Sequence, residues 1–91
     1  MTALRYLPGI RDQLHLLPPT ARTRVKASLE GLARNDPGQE VRRLRGDFRK
    51  PLERLKVGSW RIAFYRDGPH IYVIRVFPRM QGYDWLAEWE S

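Results

Sequence analysis

Between Arg42 and Arg66 the chain places nine cations (Arg42, Arg43, Arg45, Arg49, Lys50, Arg54, Lys56, Arg61 and Arg66) against only Asp47 and Glu53. That local excess of seven equals the net charge of the whole chain, +7. Guanidinium groups stay protonated and grip two oxygens of a phosphate at once. The chemistry on offer is therefore recognition of a polyanion, either a nucleic acid or an acidic protein segment. The bland alternative is a solvated basic surface that only confers solubility.

Spacing narrows the choice. Leu52 to Val57 and Trp60 to Arg66 read as two strands, and Gly58-Ser59 between them is a two-residue turn. Glycine at the first central position is what a type II′ hairpin turn requires. This turn pairs Val57 with Trp60, Lys56 with Arg61, Leu55 with Ile62 and Arg54 with Ala63. Opposite residues share a face of the sheet. One face then carries Leu55, Val57, Trp60, Ile62 and Phe64, with Glu53 at its edge. The other carries Arg54, Lys56 and Arg61. Like charges placed opposite one another destabilise a hairpin, so the cluster calls for an anionic ligand or a neutralising Asp or Glu from a neighbouring segment.

The elements that hold this hairpin follow from punctuation and period. Residues 3–7 suit a first strand that stops at Pro8-Gly9. Ile10, Leu14 and Leu17 recur at helical spacing, and Pro18-Pro19 ends that helix and opens a second, since proline is tolerated in a helix's first turn. The second helix carries Val25, Leu29 and Leu32 on one stripe and stops at Asn35-Asp36-Pro37-Gly38. Residues 39–51 read as a polar connection holding one irregular strand. His70 to Phe77 is apolar at nearly every position, as expected of a strand buried on both faces, and Tyr83 to Trp89 suit one or two final helical turns. The expected fold is α+β in the order β-α-α-β-β-β with a short C-terminal helix. A small, antiparallel-rich sheet has a two-helix hairpin packed on one face, and residues 1–91 make a single domain.

Composition removes several function classes. There are no cysteines and only two histidines, His15 and His70. Disulfides and thiolate chemistry are thereby excluded, and a zinc site would lack its usual ligands, so no metal and no cofactor are expected. His15 falls on an amphipathic helix and reads as structural. No run approaches membrane-spanning length and the first residues lack a signal-peptide core, so a cytoplasmic location without membrane contact is expected.

In this order and at this length the segments resemble the RelE/ParE superfamily of toxins from type II toxin–antitoxin pairs. The resemblance is carried by the proline-split helical hairpin, by the run from Leu52 to Arg79, and by the Arg79 and Tyr83 that follow. It implies a compact sheet with two helices on one face and a cognate antitoxin as partner; the local excess of seven positive charges is expected to meet an acidic segment of that antitoxin. The RelE-like branch, which the basic face favours, implies an endoribonuclease that cuts mRNA at the ribosome and inhibits translation. The ParE-like branch implies a toxin that inhibits DNA gyrase and cuts nothing. A non-catalytic RNA-binding module is the third reading.

By this resemblance Arg61 matches the family's strand arginine, Arg54 and Lys56 its basic strand residues, and Arg79 and Tyr83 its C-terminal pair. RNA is cut without metal when its 2′-hydroxyl attacks the adjacent phosphate. That reaction needs two proton movements and a sink for charge on phosphorus. Arg61 and Arg79 suit the charge role. Tyr83 has the oxygen and the ring to take the 2′-hydroxyl proton or stack on a base, and Lys56 suits protonation of the departing 5′-oxygen. Arg54, Arg45, Arg49 and Lys50 are expected to bind the RNA backbone. Trp85 and Trp89, four residues apart, read as one face of a docked helix.

Overall fold

The computed structural model describes residues 2–44, 50–83 and 85–86. Its elements are β1 (Ala3–Tyr6), α1 (Ile10–His15), α2 (Pro19–Ala33), β2 (Glu40–Arg43), β3 (Leu52–Val57), β4 (Trp60–Asp67) and β5 (His70–Pro78), followed by a 3₁₀ turn (Arg79–Gln81). The order is β-α-α-β-β-β-β, the expected β-α-α-β-β-β with the strand in residues 39–51 counted as a full member of the sheet. Among the described residues no helix is long and apolar enough to cross a membrane.

The five strands form one sheet in the order β1-β5-β4-β3-β2. β1 runs parallel to β5, and the other neighbours are antiparallel. A parallel pair requires a crossover, and the helical hairpin supplies part of it. Pro19 occupies the first turn of α2, where its missing N–H costs nothing. The helix ends in a Schellman arrangement. Asn35 takes φ 57°, its N–H donates to the Leu32 carbonyl at 3.1 Å, and the Asp36 N–H donates to Gly31 at 2.9 Å.

Along the other edge of β5, β1 pairs only with His70 to Val73. Beyond it the Val76 N–H would lack a strand partner. The Gln13 side chain of α1 accepts it at 3.1 Å, tying that helix to the sheet.

The helices cover one face of the sheet. Ile10, Leu14, Leu17, Val25, Leu29 and Leu32 pack there on Leu55, Val57, Ile62, Phe64, Ile71, Val73 and Val76. A second apolar cluster, Leu52, Ala63, Ile74, Phe77 and Trp85, covers part of the opposite face. A β-bulge makes this possible. Ala63 pairs with Arg75 and Phe64 with Val73, so Ile74 is an extra residue that points away from the helices. β5 is thus buried on both sides, as its unbroken apolar run predicts.

Two details differ from the sequence reading. Residues 40–43 are a regular strand, paired Glu40 to Lys56, Val41 to Leu55, Arg42 to Arg54 and Arg43 to Glu53. Its alternation is hard to see because only Val41 is apolar. The chain after β5 forms a 3₁₀ turn before Trp85 packs on the sheet; residues 87–91, where the rest of the expected helix and Trp89 fall, lie outside the described residues.

Candidate nucleic-acid interface

The β3–β4 hairpin has the expected register, with Val57 opposite Trp60, Lys56 opposite Arg61, Leu55 opposite Ile62 and Arg54 opposite Ala63. Gly58 adopts φ 58°, and among the described residues Asn35 is the only non-glycine with positive φ, so Ser59 stays in the ordinary region. One positive φ, at the first central residue, is the II′ pattern.

Lys56, Arg61 and Arg54 therefore share the face turned from the helices. β2 adds Arg42 and Glu40 to it, and together with Gln39 and Val41 these residues line a groove of about 510 Å³. Glu40 reaches Lys56 at 3.5 Å, both side chains being well exposed. Among the described residues one carboxylate thus meets one of these four cations. The neutralising group comes from the neighbouring strand, and Arg42 lies directly opposite Arg54.

Arg61 differs from the other three. It is only 9% exposed. Its Nη1 donates to the carbonyls of Gly58 at 2.8 Å and Trp60 at 2.9 Å. The tight turn aims these carbonyls inward and so fixes the guanidinium, which keeps further N–H groups for a ligand.

Across β5, Arg61 lies opposite Phe77. The Tyr83 ring packs edge-on against Phe77, with centroids 5.3 Å apart, and Trp85 packs on Phe77 at the same distance. Tyr83 remains 37% exposed. Arg79 follows Pro78, the partner of Trp60, and its backbone N–H donates to the Ser59 carbonyl at 2.8 Å. The start of the C-terminal segment is thereby pinned to the hairpin turn, and the Arg79 side chain is exposed there.

The fold thus brings Arg54, Lys56 and Arg61 together on one face, sets Tyr83 on Phe77 opposite Arg61, and ties the backbone of Arg79 to the hairpin turn. Lys50 is elsewhere. It pairs with Asp67 at 3.4 Å and lies 5.6 Å from the Tyr65 ring. Asp67 is six residues along β4 from Arg61, or roughly 20 Å in a strand. Arg45 and Arg49 lie outside the described residues. Among those described, no three His, Asp or Glu side chains form a group able to hold a metal. Glu53 sits on the helix-facing side near the start of β3, bonded to Arg66 at 2.9 Å.

Sequence reasoning missed two residues of this surface and one beside its turn. Arg42 and Glu40 were hidden in the segment read as irregular, although their alternation was available. Arg24 of α2 comes against Gly58, where a Cβ would stand 3.0 Å from its Nη1. No local signal links residues this far apart.

No family model and no curated protein sequence matches the chain. Solved structures do. A chain of the archaeal RelE–RelB complex from Pyrococcus horikoshii superposes with a TM-score of 0.69 at 18% identity, over 86% of this chain and 94% of that one. A chain of the RelB–RelE antitoxin–toxin complex from Methanococcus jannaschii gives 0.71 at 22% identity, over 88% and 95%. The α+β fold is the one seen in these RelE–RelB complexes, as the resemblance implied.

Proposed function

We propose that this chain is the toxin of a toxin–antitoxin pair, a metal-independent endoribonuclease that cuts mRNA at the ribosome. The two structures named above are RelE–RelB complexes, the one from Methanococcus jannaschii an antitoxin–toxin complex. The observation that carries the nuclease reading is the meeting of Lys56, a buried Arg61 and the Tyr83 ring around the hairpin turn and Phe77.

In this reading the mRNA backbone lies along the groove of Arg42, Arg54 and Lys56. Arg61, prefixed by the turn carbonyls, holds the scissile phosphate, and the exposed guanidinium of Arg79 contacts its other oxygens. Fixed donors act most strongly where charge develops in the transition state. The Tyr83 oxygen takes the 2′-hydroxyl proton as that oxygen attacks phosphorus. Lys56, exchanging Glu40 for the substrate, gives a proton to the departing 5′-oxygen. The products are a 2′,3′-cyclic phosphate and a free 5′-hydroxyl. Arg45 and Arg49 extend the backbone contacts, and no cofactor takes part. The site of action is the cytoplasm.

The antitoxin lays an acidic segment over the same groove and competes with RNA. Its association slows as salt rises, because opposite charges steer the encounter.

Expression of the chain while bulk translation and plasmid supercoiling are both followed tests the reading. Translation should stop first, with mRNA cut. Loss of supercoiling with mRNA intact would replace it with a gyrase inhibitor.

A further inference from the structure

A second polar cavity lies on the helix-covered side of the sheet, away from the proposed RNA groove. It holds about 310 Å³ and is lined by Tyr6, Arg11, Leu14, His15, Arg22 and Lys26. That volume is at the small end of ordinary ligand sites, which run from about 300 to 1,000 Å³. Among the described residues that line it, three are cations and none is a carboxylate.

Arg22 is anchored to the end of α1. Its Nη2 is committed to the chain, donating to the carbonyls of His15 at 2.9 Å and Leu17 at 3.2 Å, where α1 ends. Its Nε is buried and has no hydrogen-bond partner among the described residues. A buried guanidinium N–H is costly to leave unpaired. Arg11 lies 5.7 Å from the centre of the Tyr6 ring, a contact that supplies no acceptor. Burial holds the Tyr6 phenol protonated above its ordinary range, so its hydroxyl is a donor as well. The nearby carboxylates, Asp12 on α1 and Glu30 on α2, are not part of the lining.

We propose that this cavity binds a phosphate group through Arg11, Arg22 and Lys26, with Tyr6 and His15 completing the donor set. Phosphate fits better than carboxylate. It brings up to two charges and three or more acceptor oxygens to a site with three cations and further donors. The site shares no residue with the proposed RNA groove, so it stands or falls independently of the nuclease reading.

Two-dimensional NMR of the full chain at constant ionic strength tests this with three probes: inorganic phosphate, adenosine monophosphate, and a short RNA without terminal phosphates. Saturable shifts at Tyr6, Arg11–His15 and Arg22–Lys26 are expected. Saturation by the first two identifies a free or terminal phosphate as the ligand; saturation by the RNA alone identifies a backbone phosphate. Arg11→Gln and Lys26→Gln, which spare the Arg22 staple, should each weaken binding about tenfold, the usual scale of a lost charge-assisted contact. Lys56→Gln should leave these shifts unchanged. The proposal fails if no probe saturates these residues, if chloride at equal ionic strength gives the same shifts, or if both cavity variants bind as tightly as the natural chain.

Discussion

Arg61 and Phe77 lie directly opposite one another across β4 and β5, so the guanidinium fixed by the hairpin turn and the aromatic seat of Tyr83 belong to one place on the sheet. Phe77 is 1% exposed and cannot shift without disturbing Trp85 and Ile74. The proposed phosphate grip and the proposed base are thus held by the same rigid contact.

Arg61 has two roles that substitution separates. Arg61→Ala removes the donors to the Gly58 and Trp60 carbonyls, at a cost of about 2 kcal/mol by the scale of hydrogen bonds to charged groups. Arg61→Lys keeps the charge but not the fork. It should recover part of the stability and little of the cleavage. Urea unfolding with cleavage assays checks both; full activity in the lysine variant would remove bidentate phosphate binding from the account.

Gly58→Ala should destabilise the turn whose carbonyl fixes Arg61. Its φ of 58° is unfavourable to a side chain, and the new Cβ would press on Arg24. The strain is about 1–2 kcal/mol, which in a domain this small lowers Tm by roughly 4–8 °C per kcal/mol. An unchanged melting temperature would mean the turn can relax to another type.

Tyr83→Phe keeps the ring on Phe77 and deletes the oxygen. Cleavage should fall by about 10²–10⁴-fold with little change in RNA affinity, the signature of proton transfer in the transition state. The variant should remain folded and bind its antitoxin. Near-normal cutting would take Tyr83 out of the chemistry and leave it as packing.

Tyr6 gives a pH prediction. Burial raises its phenol above the ordinary 10.0, against the lowering effect of the Arg11 charge and with a smaller raising effect from Glu30. The unfolded chain therefore releases this proton first. Stability from a neutral, folded Tyr6 is complete below about pH 10 and declines as pH climbs through the folded value. Tyr6→Phe lacks this component, so the difference in unfolding free energy between the two proteins should be level from about pH 7 to 9 and shift against the natural chain above about pH 10. A difference that stays level throughout contradicts it.

Much of this was legible in the sequence because the hairpin is local. A two-residue turn at Gly58-Ser59 dictates which side chains face each other, and the pairing from Arg54–Ala63 to Val57–Trp60 follows by counting. The proline pair and the Asn35-Asp36 stop delimit α2 equally directly. What escaped depends on contacts between distant segments. The bulge that turns Ile74 outward leaves no mark in a strand already apolar throughout. Without it, the apolar cover of Trp85 over Ala63 and Phe77 is invisible, and that face reads as more uniformly basic than it is. Lys50 was grouped with Arg54 through proximity in sequence, whereas the strand carries it to the other end of the sheet.

The most direct measurement adds the purified chain to ribosomes translating an end-labelled mRNA and maps the RNA ends. The account predicts cuts within ribosome-bound mRNA that leave 2′,3′-cyclic phosphate and 5′-hydroxyl ends, lost in Tyr83→Phe. Intact mRNA under the natural chain, with purified gyrase inhibited by the same preparation, would contradict it.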